Sequence, residues 1–217
     1  MATDEATRRE RRRPRSSPRL AAAAPLVLKL PPKARLRVSA ALLWEICCAN
    51  DDLRLERTAG GRLIVMSPAG FATGGRNLKL SMRLGIWAEI NGTGSARDSS
   101  TGYALPNGAI RSPDASWISH ARVQLIPTDQ LEKFAPACPD FVAELRSPTD
   151  SLKALRRKMA EYIAQGVRLG WLLDPATAKV EVHRPGRAAE VLDRPATLSG
   201  GDVLPGFVLD LRGILFD

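Results

Sequence analysis

An apolar run that passes into charge without a turn, Phe141-Val142-Ala143-Glu144-Leu145-Arg146, is followed by an amphipathic segment and then by a second apolar run, Leu169 to Asp174. This order constrains the fold more than any other feature of the chain. A short, nearly continuous apolar run bounded by turn residues reads as a strand covered on both faces. Between the two runs, residues 151–165 place Leu152, Leu155, Met159, Tyr162 and Ile163 on one helical stripe. Thr149 or Asp150 is placed to cap its start, and Gly166 suits its end. Strand, helical crossover and second strand imply a central mixed β-sheet flanked by helices, hence an α/β or α+β fold.

The remaining segments fit around that unit. Ser39 to Ala49 reads as a short helix capped by Ser39. "LRLERT" and "RLIVMS" alternate as two strands about Ala59-Gly60-Gly61, a hairpin signal. "SPAGFATGG" reads as a loop, Asn77 to Ile90 as a helix with Leu80, Leu84 and Trp87 on one face, and "NGTGSARDSSTG" as turn-rich. "YAL" and the turn "PNG" lead into one strand, "AIRSPDASWIS", that contains Asp114. "KVEVHR" and "FVLDL" supply late strands. Domain boundaries divide the chain into a basic tail, 1–37, and one domain, 38–217.

Charge supports that boundary. The net charge of +9 is concentrated in residues 1–37, which hold eleven Lys/Arg against three Asp/Glu. A stretch as Arg-, Pro- and Ser-rich as "RRERRRPRSSPR" has no apolar periodicity and is expected to be disordered, either a solvated or mis-assigned start of the chain or an accessory contact to nucleic acid. The apolar run from Leu20 to Leu28 is short, broken by Pro25 and followed by Lys29, which argues against a secretory leader. No run reaches the length of a membrane span. Three cysteines without a C-x-x-C pair, and only two histidines, exclude a disulfide framework and disfavour a zinc site, pointing to the cytoplasm.

Nucleotide-binding glycine motifs and the G-x-S-x-G elbow are absent, which leaves acids on strands as the candidates for chemistry. Asp114 follows Pro113, a pair that more often marks a turn. Along the strand, Phe141, Ala143 and Leu145 face one way while Val142, Glu144 and Arg146 face the other. Glu144 is therefore either one half of an ion pair with Arg146 or Arg157 at a sheet edge, or a ligand. Lys158 lies at the border of the helix stripe, where its stem can be buried and its ammonium carried to the sheet, unless it is a solvated lysine like Arg156 and Arg157 beside it. Two carboxylates on adjacent strands with one ammonium fit metal-assisted phosphodiester hydrolysis. Hard oxygen ligands suit Mg²⁺ (or Mn²⁺), and a cation can orient water or stabilise the transition state.

The blocks "SSTGYALPNGAIRSPDASWIS", "FAPACPDFVAELRSPTDSLKALRRKMAEYIAQGVRLGWLLDP" and "LSGGDVLPGFVLDL" resemble the Uma-type family of bacterial restriction-endonuclease-like proteins, over roughly residues 40 to 212. The resemblance implies a restriction-endonuclease-like fold, the PD-(D/E)XK site pattern and Mg²⁺-dependent cleavage of nucleic acid, most naturally DNA. It matches Asp114 and Glu144 to the metal-holding acids and Lys158 to a catalytic helix lysine, with Arg146 at the older strand-cation position as a positioning group. Relatives of this kind carry a further acid near the position of Ala72. None lies between Arg62 and Arg83 here, so Glu89 or water takes that place, or the ligand is lost. A catalytically weak or inactive nucleic-acid-binding protein of the same fold is the alternative, and a homodimer stays open.

Overall fold

The pairing of the two apolar runs organises the molecule. In the computed structural model, which describes residues 36–50 and 52–216, the helix α1 (Ala40–Ala49) leads into the antiparallel hairpin β1 (Arg54–Arg57) and β2 (Leu63–Met66). The long helix α2 (Phe71–Asn91) precedes β3 (Gly94–Asp98), β4 (Tyr103–Ala104), β5 (Ile110–Arg111) and β6 (Ala115–Ser119). After a four-residue helix, α3 (His120–Val123), come β7 (Phe141–Leu145), α4 (Leu152–Ala164) and β8 (Leu169–Asp174). Strands β9 (Lys179–His183), β10 (Glu190–Asp193), β11 (Thr197–Ser199) and β12 (Val208–Asp210) complete the order.

Six strands form the central sheet, in the order β10-β9-β8-β7-β6-β3. Only β7 and β8 run parallel, with Glu144 beside Leu172, and α4 makes the crossover between them. The sheet is thus mixed and flanked by helices, as the strand-helix-strand order requires. A second sheet, β2-β1-β5-β4, stands beside it, and β11 pairs with β12.

Alternation along β7 sorts its side chains into two cores. Phe141, Ala143 and Leu145 join Leu80, Leu84, Trp117 and Trp171 on the α2 side. The Phe141 and Trp171 rings meet edge to face at 4.8 Å, a favoured geometry for aromatic pairs. Val142 and Leu172 join Met159 and Tyr162 of α4 on the other side. Helix and sheet come close there, since a Cβ at Gly170 would collide with the Met159 terminal methyl.

Four local readings are corrected. Helix α2 begins at Phe71, not Asn77, with Gly70 at its cap, so Gly74 and Gly75 lie inside it despite their low helix propensity. Burial of Thr73, Leu80, Leu84 and Ala88 on one face outweighs those two residues. The segment around Gly94 is strand β3 rather than turn, with glycine required because a Cβ would strike the Trp117 ring and the Ile118 carbonyl. The strand expected through "AIRSPDASWIS" is two strands, β5 in the small sheet and β6 in the central one, separated at Pro113, which cannot donate to a ladder. The cap of α4 is Ser151, whose hydroxyl accepts from Ala154 N–H, while Asp150 accepts from Ser147 N–H.

Leu36 and Arg37 belong with the folded part. The Leu36 carbonyl accepts from Leu63 N–H, and Arg37 bridges to Arg62. The rest of the basic tail lies outside the described residues. Among the described residues, no helix is long and apolar enough to cross a membrane.

Candidate active site

The break at Pro113 brings the two sheets together, and the acidic residues collect at that junction. Asp114 follows the break directly and stands at the start of β6. Its Oδ2 accepts from Leu145 N–H at 2.8 Å, so the carboxylate lies across the end of β7. Glu144 projects from β7 beneath α4 and is 4% exposed. Lys158 and Tyr162, one helical turn apart, share a face of α4. Both reach the same Glu144 oxygen, Oε1: the ammonium at 2.8 Å and the phenol O–H at 3.0 Å. That arrangement leaves Oε2 without a partner among the described residues.

A residue that sequence reasoning missed completes the cluster. Glu56, on β1 of the small sheet, is 3% exposed. Its Oε1 accepts from Lys158 Nζ at 2.9 Å and from Ser112 N–H at 3.0 Å, and its Oε2 accepts from Arg111 at 3.0 Å. Arg111 continues the chain of charges to Glu161, at 2.6 Å. In "LRLERT", Glu56 is one residue of an alternating hairpin strand, and no local pattern reveals that α4 and β5 cover it. Only the three-dimensional junction of the sheets shows its role.

Electrostatics set the protonation of each member. Burial pushes the Glu144 carboxyl up to about 7; Lys158 opposes this, while Asp114 and Glu56 add to it. Burial also raises Asp114, offset in part by the Leu145 N–H. Burial pushes Glu56 the same way, but Lys158 and Arg111 outweigh it and hold its carboxyl below the usual range. For Lys158, burial disfavours the ammonium, yet Glu144 and Glu56 overcome that and hold it protonated well above neutrality. Lys158 therefore does not exchange protons near neutral pH. It is a fixed positive charge.

The other sequence candidates lie elsewhere. Arg146 shares the Glu144 side of its strand, but its guanidinium pairs with the buried Asp174 at 2.7 Å and donates to the Asp150 carbonyl. It ties the end of β7 to the end of β8 and makes no bond to Glu144. Arg157 is exposed, so neither arginine forms the anticipated ion pair with Glu144. Glu89 is exposed near the C-terminal end of α2 and does not replace the expected acid. Near the other end of α2, Asn77 donates from Nδ2 to Asp114 Oδ1 at 3.5 Å. Its own Oδ1 is buried without a partner among the described residues.

The donor set suits a hard cation. Glu56, Glu144 and Glu161 pair with Arg111 and Lys158, and Asp114 stands beside them at the end of β7, so the carboxyl groups outnumber the cations paired with them. Among the described residues, no three His, Cys, Asp or Glu side chains group closely enough to hold a metal by themselves. Mg²⁺ keeps several waters and needs only one or two protein carboxylates, so Asp114 and the Oε2 of Glu144 are the carboxyl donors that would hold it. Asn77 Oδ1, a buried oxygen beside Asp114 with no donor, adds a third hard oxygen.

No curated protein matches the chain. Among solved structures, its fold is similar to the crystal structure of "a putative nuclease belonging to DUF820" from Anabaena variabilis. The TM-score is 0.63 at 17% identity, over 74% of this chain and 89% of that one, a likeness of fold alone. A family model, Uma2, described as "Putative restriction endonuclease", matches residues 41–212. The matched span includes Glu56, Asn77, Asp114, Glu144 and Lys158. The chain belongs to the Uma2 restriction-endonuclease family, the one its sequence blocks resemble.

Proposed function

We propose that the protein is a divalent-metal-dependent DNA endonuclease whose site is Asp114, Glu144 and Lys158, supported by Glu56, Tyr162 and Asn77. The observation that carries this reading is the state of Glu144: buried on a sheet face, held by Lys158 and Tyr162 through one oxygen, with the other oxygen left for a ligand. Asp114 and Glu144 would hold Mg²⁺ or Mn²⁺, which when bound supplies charge neutralisation at a phosphoryl oxygen and lowers the pKa of water.

The chain's own residues do the rest. Lys158, fixed between Glu144 and Glu56, presents a positive charge that needs no reorganisation as negative charge builds on the phosphoryl oxygens. Tyr162 donates to Glu144 and fixes its rotamer. Arg111 and Ser112 hold Glu56, so that Glu56 in turn positions the lysine. Arg146 acts through the backbone, by joining β7 to β8. The basic tail supplies sequence-independent attraction to phosphate.

One observation favours a second reading, a nucleic-acid-binding protein of the same fold with weak or no cleavage. Lys158 spans both Glu56 and Glu144, and the described residues hold no three-acid group. A cleavage assay on single-stranded, duplex and branched DNA separates the two. The nuclease reading expects cleavage that needs Mg²⁺ or Mn²⁺ and vanishes in Glu144→Gln. Binding without cleavage of any substrate supports the second.

A further inference from the structure

Helix α2 buries one face and leaves the opposite one apolar. Thr73, Leu80, Leu84 and Ala88 pack inward. At 3.6 residues per turn, Phe71, Leu78, Met82, Ile86 and Ile90 form a stripe on the far side. Their exposure runs from 50% for Met82 to 102% for Phe71. Taking roughly 200 Å² for a fully exposed large side chain, the five present about 700 Å² of surface. A monomer's largest apolar patch is typically about 300–600 Å². A standard interface takes about 800 Å² from each partner, so the stripe offers most of the apolar surface that a stable dimer would draw on.

From this we infer that α2 is the interface of a homodimer, packed antiparallel against α2 of a second copy about a two-fold axis at Met82. Charge selects this partner and this direction. Glu89 lies on the stripe near its C-terminal end and makes no ion pair among the described residues, and its preceding turn offers only Gly85 and Ile86. Arg76 and Lys79 flank the N-terminal half, also without an ion pair among the described residues. A parallel pairing would set Glu89 against Glu89. The antiparallel pairing centred on Met82 sets Glu89 of one copy beside Arg76 and Lys79 of the other, twice, and Leu78 against Ile86. A C₂ interface needs this self-complementarity.

Glycine placement agrees. Gly75 and Gly85 lie at the stripe, where an added Cβ would meet nothing within 4 Å in this chain. Each weakens an exposed helix relative to alanine, yet together they let a second helix approach closely. Asn77 reaches Asp114 from another side of the same helix, so the pairing leaves that contact untouched.

The test is sedimentation equilibrium of the full chain, alongside circular dichroism. The wild type is expected to be a dimer. Met82→Glu, at an exposed position, should keep the helical signal and sediment as a monomer. Glu89→Arg should weaken the dimer roughly tenfold or more, since it sets like charges together. Adding Arg76→Glu and Lys79→Glu to that variant should restore it. A monomeric wild type, a dimer indifferent to Met82→Glu, or failure of the charge reversal to restore pairing overturns the inference.

Discussion

Replacing Glu144 with glutamine leaves the side chain's shape and its Oε1 acceptor but removes its charge. In the metal-free protein that charge is a burden. With the folded carboxyl near 7 and the ordinary value 4.5, the folded state holds the Glu144 proton more tightly than the unfolded state does. Its stabilising contribution is therefore fully present below about pH 4.5 and is lost as pH rises through 7. Between pH 5 and pH 8 the loss is on the order of 2 to 3 kcal/mol. For a chain of this size that corresponds to roughly 4 to 12 °C in Tm. Other carboxyls also titrate, so the informative quantity is the difference between Glu144→Gln and wild type. Measured by thermal denaturation in chelator, Glu144→Gln should be close to wild type at pH 5 and more stable than it at pH 8. Mg²⁺ should then raise the wild-type Tm at pH 8 and leave Glu144→Gln unchanged. A Tm difference that does not vary with pH, or a variant that unfolds at pH 8, would refute the reasoning and make Glu144 a structural ion-pair partner of Lys158.

Glu56 should behave in the opposite sense. Its carboxyl is held below the usual range, so its contribution is present above about pH 4.5 and is lost as pH falls; Glu56→Gln should lower the Tm at pH 7, by removing the anion between Arg111 and Lys158. Lys158→Ala should cut cleavage by about a hundredfold or more and also destabilise the fold by about 3–5 kcal/mol, because Glu56 and Glu144 lose their shared cation. Arg146→Ala should lower stability through the buried Asp174 while folded protein still cleaves; normal cleavage in Lys158→Ala with loss in Arg146→Ala would reverse the two assignments. Deleting residues 1–35, which carry ten Lys/Arg and three Asp/Glu, should weaken DNA binding and flatten its dependence on salt; an unchanged slope would show that the tail does not touch DNA.

Much of the frame was legible because it rests on local pattern. The apolar runs of β7 and β8, the stripe of α4 and the alternation that turns Glu144 away from Phe141 and Leu145 are all periodicities of the chain, and the two cores keep them. Family blocks led to Asp114, Glu144 and Lys158; in the structure Lys158 pairs with Glu144, and Asp114 accepts from the backbone N–H of Leu145, the residue after Glu144. What escaped depends on contacts between distant segments. Glu56 sits in an ordinary hairpin until β5 and α4 close over it. Asn77 replaces no recognisable acid, yet it alone of α2 reaches Asp114. Gly94 looks like a turn residue but is demanded by Trp117. Arg146 shows the limit of facing alone: it shares a side with Glu144, but Asp174 on the next strand lies nearer to hand.

Binding of Mn²⁺ or Mg²⁺, followed by titration calorimetry on wild type, Asp114→Asn and Glu144→Gln, tests the central claim most directly. The account predicts that wild type takes up the ion, that uptake strengthens as pH rises through 7 and Glu144 gives up its proton, and that either substitution abolishes it. A wild type that binds no ion, or variants that bind as wild type does, would contradict it.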